Sequence, residues 1–235
     1  MNIEIIGNGN LLSNNFSTSF LVNNILFCAP AGVLKELKRL NKNMDDISLI
    51  VITHLHGEEY FDLPAIILHE CLRGRTKPLV IIGPKDLKRK VTKLLRIMLN
   101  KTIVDKYFHT FDLTFTNAEV VQNANLIDDY RFSFINVKHG KLKNCYGLII
   151  KNDSISLGYT GGAEICPGLT YLLKSVKTCI IDIPGEQKIT LEEFKNLADD
   201  FDNTFLPVGY PDGMEVKLAE IKNVKIVKPQ EQFYI

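Results

Sequence analysis

Hydrophobic residues recur along the chain at two spacings, and the change from one spacing to the other marks the predicted elements. Short apolar runs rich in β-branched residues predict buried strands. These strands are expected at Ser48–Ile52, Leu79–Ile82, Cys179–Ile183 and Thr204–Val208. Apolar residues spaced by three and four predict helices. These helices are expected at about Pro30–Lys42, Pro84–Asn100, Gly168–Lys174 and Leu191–Asp200.

The order of the elements indicates the fold class. Ser48–Ile82 reads strand, loop, helix, strand, which is a βαβ unit in which Asp62 is a candidate N-cap before Leu63-Pro64. The stretch from Phe111 to Gly158 alternates apolar and polar residues, as antiparallel strands do. Two β-rich halves, each ending in βα units, predict an αββα sandwich of two mixed sheets flanked by helices, formed as a single domain over residues 1–235.

Composition excludes several classes of protein. Hydrophobic residues make up 46% of the 235 positions and the net charge is +1, so neither a disordered chain nor one that wraps nucleic acid is predicted. The five cysteines form no C-x-x-C pair, which favours a reducing compartment over a disulfide framework. The sequence shows no signal-like N-terminus and no apolar run of membrane length. We therefore expect a soluble cytoplasmic protein that does not insert into a membrane.

A loop with two histidines follows the strand Ser48–Ile52 and is the most informative segment. It reads Thr53-His54-Leu55-His56-Gly57-Glu58-Glu59. In extended backbone His54 and His56 point to the same side, so their imidazoles could hold one zinc ion. An H-x-H pair is a weak signal by itself, and two solvated loop histidines are the alternative.

The surrounding segments resemble the metallo-β-lactamase superfamily, particularly its ribonuclease Z-like branch. The resemblance rests on these stretches: Ser17–Gly32, Ile50–Gly57 followed by Tyr60–Pro64, Val80–Lys85, Val137–His139, Cys145–Gly147 and Ser156–Gly161. By this resemblance His54, His56 and His139 stand where the family's first metal takes three imidazoles. The resemblance thus implies one bound zinc or a similar divalent transition metal.

The same resemblance implies that the second metal site has been rewritten. Glu58 stands at that site's usual aspartate and Glu59 at its usual histidine, while Cys28 stands at the aspartate of the family's aspartate-glycine turn. Tyr159 replaces the usual bridging aspartate, and Tyr210 occupies the region of the final histidine. A phenol does not bridge two ions as a carboxylate does, and Glu59 offers a harder ligand than imidazole. The sequence therefore argues against a second metal.

Two candidate residues keep alternative roles. Glu58 could act as a catalytic base or as a fourth ligand to the metal that His54, His56 and His139 hold. Tyr159 is a candidate catalytic or ligand residue, and the alternative is an aromatic plug in the vacated site. His69 and His109 match no position of the family motif.

Two functions stay open at this stage. The first is a hydrolase with at most one metal, acting on a small-molecule or nucleotide phosphodiester or on another ester. The second is a catalytically inactive member of the fold that serves as a binding or regulatory module. The chain contains no long Gly/Pro-rich insertion of the kind that binds transfer RNA in true ribonuclease Z, which argues against that substrate. The sequence leaves the oligomeric state open, and a homodimer is one assembly it allows.

Overall fold

Two β-sheets pack face to face in the computed structural model, which describes residues 1–107, 110–127, 129–183 and 189–235. The strands of the first sheet are β1 (Asn2–Gly7), β2 (Ser19–Val22), β3 (Ile25–Phe27), β4 (Leu49–Val51), β5 (Leu79–Gly83), β6 (Leu113–Asn117) and β13 (Gln232–Tyr234). Their order is β13-β1-β2-β3-β4-β5-β6, and β3 to β6 run parallel. This sheet carries the βαβ unit that the sequence predicts between β4 and β5.

The second sheet has the order β12-β11-β10-β9-β8-β7. Its strands are β7 (Gln122–Ile127), β8 (Tyr130–Asn136), β9 (Tyr146–Lys151), β10 (Ser156–Tyr159), β11 (Thr178–Asp182) and β12 (Thr204–Val208). The pairs β7–β8, β8–β9 and β9–β10 are antiparallel, whereas β10–β11 and β11–β12 are parallel. The predicted antiparallel region is confirmed for these strands, although β6, which lies in the same stretch, pairs parallel with β5.

Helices cover the outer faces of both sheets. They are α1 (Val33–Arg39), α2 (Gly57–Tyr60), α3 (Leu63–Leu72), α4 (Leu87–Met98), α5 (Lys101–Tyr107), α6 (Pro167–Ser175), α7 (Leu191–Asp200) and α8 (Glu215–Ala219). Short 3₁₀ turns lie at Met44–Asp46 and Ala118–Val120. No helix in the described part of the chain has the length and apolar character needed to cross a bilayer.

Three apolar layers hold the fold together. The inner layer lies between the sheets and includes Phe20, Phe132 and Tyr159. One outer layer packs the first sheet against helices α1, α3 and α4, and the other packs the second sheet against α6 and α7. Sheets that bury both faces need apolar residues on both, which explains the continuous apolar runs of β4, β5 and β11. The predicted αββα sandwich is confirmed.

Two local predictions need correction. Asp62 precedes α3, but its side chain makes no cap for that helix; it accepts a hydrogen bond from the backbone N–H of Leu34, at 2.7 Å, and so ties α1 to α3. The histidine loop is not entirely irregular either, because Gly57–Tyr60 forms the single turn α2. Two acidic residues in this turn, Glu58 and Glu59, lie at the end where the helix dipole favours negative charge.

Candidate metal centre

The three histidines reach one edge of the sandwich from two different sheets. His54 and His56 follow β4 of the first sheet, and His139 follows β8 of the second. Strands β3 and β4 end at this edge, as do β8, β10, β11 and β12. The backbone N–H of Tyr146 donates to the carbonyl of Thr53 at 3.1 Å and connects the sheets beside the histidines. Loops at the carboxyl ends of parallel strands are where open α/β sheets place their ligand sites.

The ring nitrogens of the three histidines converge. His56 Nδ1 lies 3.2 Å from His54 Nε2 and 3.1 Å from His139 Nε2. One nitrogen from each ring belongs to a group in which all ligand atoms lie within 4.8 Å of one another. A tetrahedral ion with nitrogen ligands at 2.0–2.1 Å separates those nitrogens by roughly 3.3 Å. The three side chains therefore fit one tetrahedral metal ion with little rearrangement.

The hydrogen bonds behind the rings support this fit. His139 Nδ1 faces the carbonyl oxygen of Gly162 at 2.5 Å. A carbonyl only accepts, so Nδ1 carries the proton and the neutral ring presents the lone pair of Nε2 to the centre. Metal-bound histidines almost always make such a bond with their second nitrogen, because it fixes the tautomer and the ring orientation.

One side of the centre is open to solvent. His54 and His139 are buried, but His56 is only partly covered. His56 and Glu58 line a groove of about 610 Å³ whose other walls include Leu11, Pro30 and Phe61. This volume lies in the range of small-molecule sites, which are mostly apolar with a few polar groups. The arrangement gives a ligand of that size access to the metal position.

Gly162 lies where a side chain would displace His139. Its φ is +76°, and a Cβ added there would lie 3.3 Å from Cε1 of His139. Gly213 has a similar φ of +82°, but a Cβ there would meet no atom within 4 Å. The two positions thus share the backbone strain of an L-residue at positive φ and differ in contact with the metal centre.

We expect Gly162→Ala to lower metal affinity about tenfold or more, by moving the His139 ring, whereas Gly213→Ala leaves affinity unchanged. Both variants should lose about 1 kcal/mol of unfolding free energy from strain. Zinc titration and urea unfolding of the two proteins measure these effects. Equal metal affinity in the two variants would show that the close approach of Gly162 does not position His139.

Aromatic packing fills the space where the resemblance places the second metal's bridging aspartate. Tyr159 is fully buried, with its ring edge-on to Phe20 and Phe27 at centroid distances of 4.9 Å and 6.0 Å. Its hydroxyl lies 3.3 Å from Cys28 Sγ. Burial raises the pKa of the Tyr159 phenol well above its usual range, and the neighbouring Cys28 and Glu59 raise it further. The side chain is therefore a neutral phenol at neutral pH. Its catalytic or ligand role and the alternative role of an aromatic plug stay predictions.

Cys28 and Glu59 lie beside Tyr159. Burial, with the Glu59 carboxylate next in effect, raises the pKa of the Cys28 thiol well above its usual range. The side chain of Glu59 is only 2% exposed, although the sequence places it in a polar loop. Cys28 has a φ of +59°, an uncommon conformation for a side chain with a Cβ. The structure thus brings Cys28, Glu59 and Tyr159 together in one buried cluster.

Tyr210, in the region of the expected final histidine, is also buried. Its hydroxyl accepts a hydrogen bond of 2.7 Å from Asn8 Nδ2, and burial raises its pKa to about 12. It packs in the outer layer of the second sheet. Like Tyr159, it presents no charged ligand at neutral pH.

The remaining candidate residues fall in different places. Glu58 lines the groove beside His56 but is outside the convergent group of three ligands, as far as the described residues show. His69 belongs to α3, where Nδ1 lies 2.7 Å from a carboxylate oxygen of Glu70. His109 lies outside the described residues.

Sequence reasoning missed Asp182, the buried last residue of β11. Its backbone N–H donates to Thr160 Oγ1 at 2.9 Å, and a Cβ on Gly162 would lie 3.5 Å from its carboxylate. Together with Glu58 and Glu59 it lines a small polar cavity of about 10 Å³, close to the smallest space that holds one water molecule. A charged residue at the end of a buried parallel strand was the signal available in the sequence.

Comparison with known proteins agrees with this site and fold. The family model of the anti-Pycsar protein Apyc1 matches residues 1–233. The chain belongs to this family. It is also similar to ribonuclease Z from Lachnoclostridium phytofermentans (28% identity over 127 residues, 54% of this chain and 38% of that protein). Ribonuclease Z from Limosilactobacillus reuteri is 30% identical over 105 residues, which is 45% of this chain and 31% of that protein.

Solved structures show the same architecture over the whole chain. The short form of human tRNase Z superposes with a TM-score of 0.75 at 14% identity, covering 100% of this chain and 99% of that one. YhfI from Bacillus subtilis, a metallo-β-lactamase fold protein, gives 0.72 at 14% identity with 99% and 98% covered. Zn²⁺-bound PqqB from Methylobacterium extorquens gives 0.69 at 10% identity with 100% of both covered. The chain therefore lies in the ribonuclease Z-like branch of the metallo-β-lactamase superfamily, as the sequence predicted.

Proposed function

We propose that this Apyc1 family member is a metal-dependent hydrolase that cleaves a phosphodiester with one divalent transition metal, zinc or a similar ion. The observation that carries the proposal is the convergence of His54, His56 and His139 at nitrogen separations near those of a tetrahedral site. The groove beside His56 supports it, because it gives a small ligand access to that position.

The relatives suggest the class of bond. Ribonuclease Z proteins are named for cleaving RNA, which is a phosphodiester polymer. The matched segments span only 38% and 31% of those two proteins, so their whole activity does not follow from the match. We propose a small-molecule or nucleotide phosphodiester as substrate rather than transfer RNA. The family's description as anti-Pycsar adds an action against Pycsar, which we extend to this chain as part of the proposal.

The residues around the groove would divide the work. A divalent metal ion, when bound, supplies Lewis acidity that acidifies water to a pKa of about 7 and polarises a phosphoryl oxygen. Glu58, which lines the groove with His56, would accept the proton of an attacking water. The apolar walls formed by Leu11, Pro30 and Phe61 would hold the organic part of the substrate and exclude water from it.

The buried cluster of Cys28, Glu59 and Tyr159 favours a second candidate, an inactive member of the fold that binds a ligand. Two-metal sites use the second ion to stabilise the leaving oxygen, and here uncharged phenol and thiol groups occupy the surrounding space. In this candidate the groove would bind without cleaving. A measurement of phosphodiesterase activity distinguishes the hydrolase from the inactive binding protein.

Activity with an aryl phosphodiester tests the proposal. We expect slow, zinc-dependent release of the aryl alcohol by the unmodified protein. Glu58→Gln should reduce kcat about 100-fold, in the range of a lost general base, with zinc affinity unchanged. Asp46→Asn, which changes a carboxylate near the N-terminal end of β4, is the matched control and should leave kcat unchanged. Absence of turnover over a panel of aryl and nucleotide phosphodiesters, in protein shown to hold metal, would favour the inactive candidate.

The cytoplasmic location and the homodimer rest on the sequence and remain part of the proposal. All five cysteines are free thiols, which fits a reducing compartment.

A further inference from the structure

Glu59 occupies the position of an expected second-metal histidine. Its carboxylate instead contacts Thr53, whose hydroxyl contacts the His54 nitrogen that faces away from the metal position. Thr53 Oγ1 lies 3.5 Å from Glu59 Oε2 and 3.1 Å from His54 Nδ1. All three side chains are buried, at 0–2% exposure. The three groups form a short chain that ends on the nitrogen of His54 opposite the metal position.

The chemistry of the groups sets the direction of the hydrogen bonds. Thr53 Oγ1 is the donor and Glu59 Oε2 the acceptor in their hydrogen bond, so the proton of the Thr53 hydroxyl points to Glu59. The hydroxyl oxygen then has only lone pairs to offer to His54, and Nδ1 of that ring must donate. A neutral imidazole that carries its proton on Nδ1 has a lone pair on Nε2, and Nε2 is the atom that faces His56.

Glu59 has a further hydrogen-bond partner in Cys28, which in turn contacts Tyr159. The Cys28 thiol hydrogen bonds to the Glu59 side chain, and the Tyr159 hydroxyl lies 3.3 Å from the Cys28 sulfur. A buried carboxylate is costly unless such donors surround it. The cluster therefore keeps Glu59 in place where the resemblance implies a metal ligand.

We propose that Glu59, acting through Thr53, is a positioning residue that fixes the metal-binding tautomer of His54. The carboxylate introduced where the second metal is lost thus serves the first metal from outside its ligand shell. This inference rests on the proposed function for the presence of a metal at His54, but the tautomer itself exists in the metal-free chain.

The test is histidine ¹⁵N–¹H NMR of the chelator-treated full chain, followed by zinc titration by competition with a chromophoric chelator. In the unmodified protein the His54 ring should carry its proton on Nδ1. Thr53→Val keeps the shape of the side chain and removes the hydroxyl. It should shift the His54 population toward the tautomer protonated on Nε2 and weaken zinc binding 10- to 100-fold.

Two variants separate hydrogen bonding from packing. Thr53→Ser keeps the hydroxyl and loses the methyl group, so we expect the unmodified tautomer and zinc affinity within about threefold. Glu59→Leu leaves the Thr53 hydroxyl free to donate to His54 and should shift the tautomer as Thr53→Val does, even if that valine variant folds poorly. Cys28→Ala removes one hydrogen-bond partner of Glu59 but leaves the Thr53 hydroxyl and its acceptor intact, so the tautomer should stay unchanged.

An unchanged His54 tautomer in Thr53→Val, or in Glu59→Leu if the valine variant does not fold, overturns the proposal. So does a Thr53→Ser variant that loses zinc affinity as strongly as the valine variant, because packing would then be the cause. Failure of the unmodified protein to bind zinc would refute the proposed function, and the NMR of the metal-free chain would still decide the role of Glu59.

Discussion

His56→Ala should abolish metal binding and, with it, any phosphodiesterase activity. His56 Nδ1 is the nitrogen that both other rings approach, at 3.2 Å and 3.1 Å, so its removal leaves two of the three converging imidazoles. Loss of a direct ligand should exceed the 10- to 100-fold cost of losing an outer partner, and we expect zinc affinity to fall by more than about 100-fold. Because His56 is only partly buried, the variant should fold.

His69→Ala is the matched control for this variant. His69 is a partly buried histidine whose partners are Glu70 and Lys38, on the outer side of the first sheet. It should leave zinc affinity and activity unchanged. Metal analysis after dialysis, circular dichroism and the aryl phosphodiester assay would be run on both proteins. Retention of one metal per chain by His56→Ala would refute the assignment of the three ligands.

The largest effect on stability is expected from Tyr159→Asp. The substitution removes a fully buried ring that packs against Phe20 and Phe27 and places a carboxylate near Glu59 and Asp182. Truncation of a large buried side chain costs about 3–5 kcal/mol, and a buried uncompensated charge adds to this. We expect the metal-free variant to lose at least about 3 kcal/mol of unfolding free energy and to be largely unfolded at 37 °C.

Tyr159→Phe is the matched control, because it keeps the ring and removes only the hydroxyl that lies 3.3 Å from Cys28. It should cost about 1 kcal/mol. Urea unfolding in the presence of a chelator measures both variants. If Tyr159→Asp is as stable as Tyr159→Phe, the ring does not stabilise the inner layer. That outcome would favour a ligand role for position 159.

The expected instability of Tyr159→Asp bears on how a second metal site could be rebuilt. The sequence alone points to Glu58→Asp, Glu59→His, Tyr159→Asp and Tyr210→His as the changes required. The structure adds two partners to that set, since Cys28 contacts Tyr159 and Asn8 contacts Tyr210. A variant that leaves these neighbours unchanged should fold only when metal offsets the buried charge.

Local patterns predicted the fold, and the resemblance to the metallo-β-lactamase superfamily indicated the three candidate ligands. The βαβ unit from β4 to β5 follows from apolar spacing, and strand β12 and helix α7 have the bounds that the sequence predicted. His54 and His56 are neighbours in sequence, and the segment around His139 carries a recognisable pattern. The structure brings all three together at one edge.

Contacts between distant segments could not be read from the sequence. Asp62 looked like a cap for the helix that follows it, but the turn of the chain directs its carboxylate to Leu34 in α1. The role of Asp182 was not predicted, because its contacts come from segments that are distant in sequence. The direction of the Glu59 side chain depends on α2, a single helical turn that the loop composition did not indicate. Such features arise from tertiary packing, which local propensity does not encode.

The metal content of the unmodified protein decides whether the three histidines hold one ion. The full chain would be purified without chelator or added metal, dialysed, and analysed by inductively coupled plasma mass spectrometry against protein concentration. Because three imidazoles converge, we expect about one divalent transition metal, zinc or a similar ion, per chain. Two metals per chain, or none even after incubation with zinc and removal of the excess, would contradict this expectation.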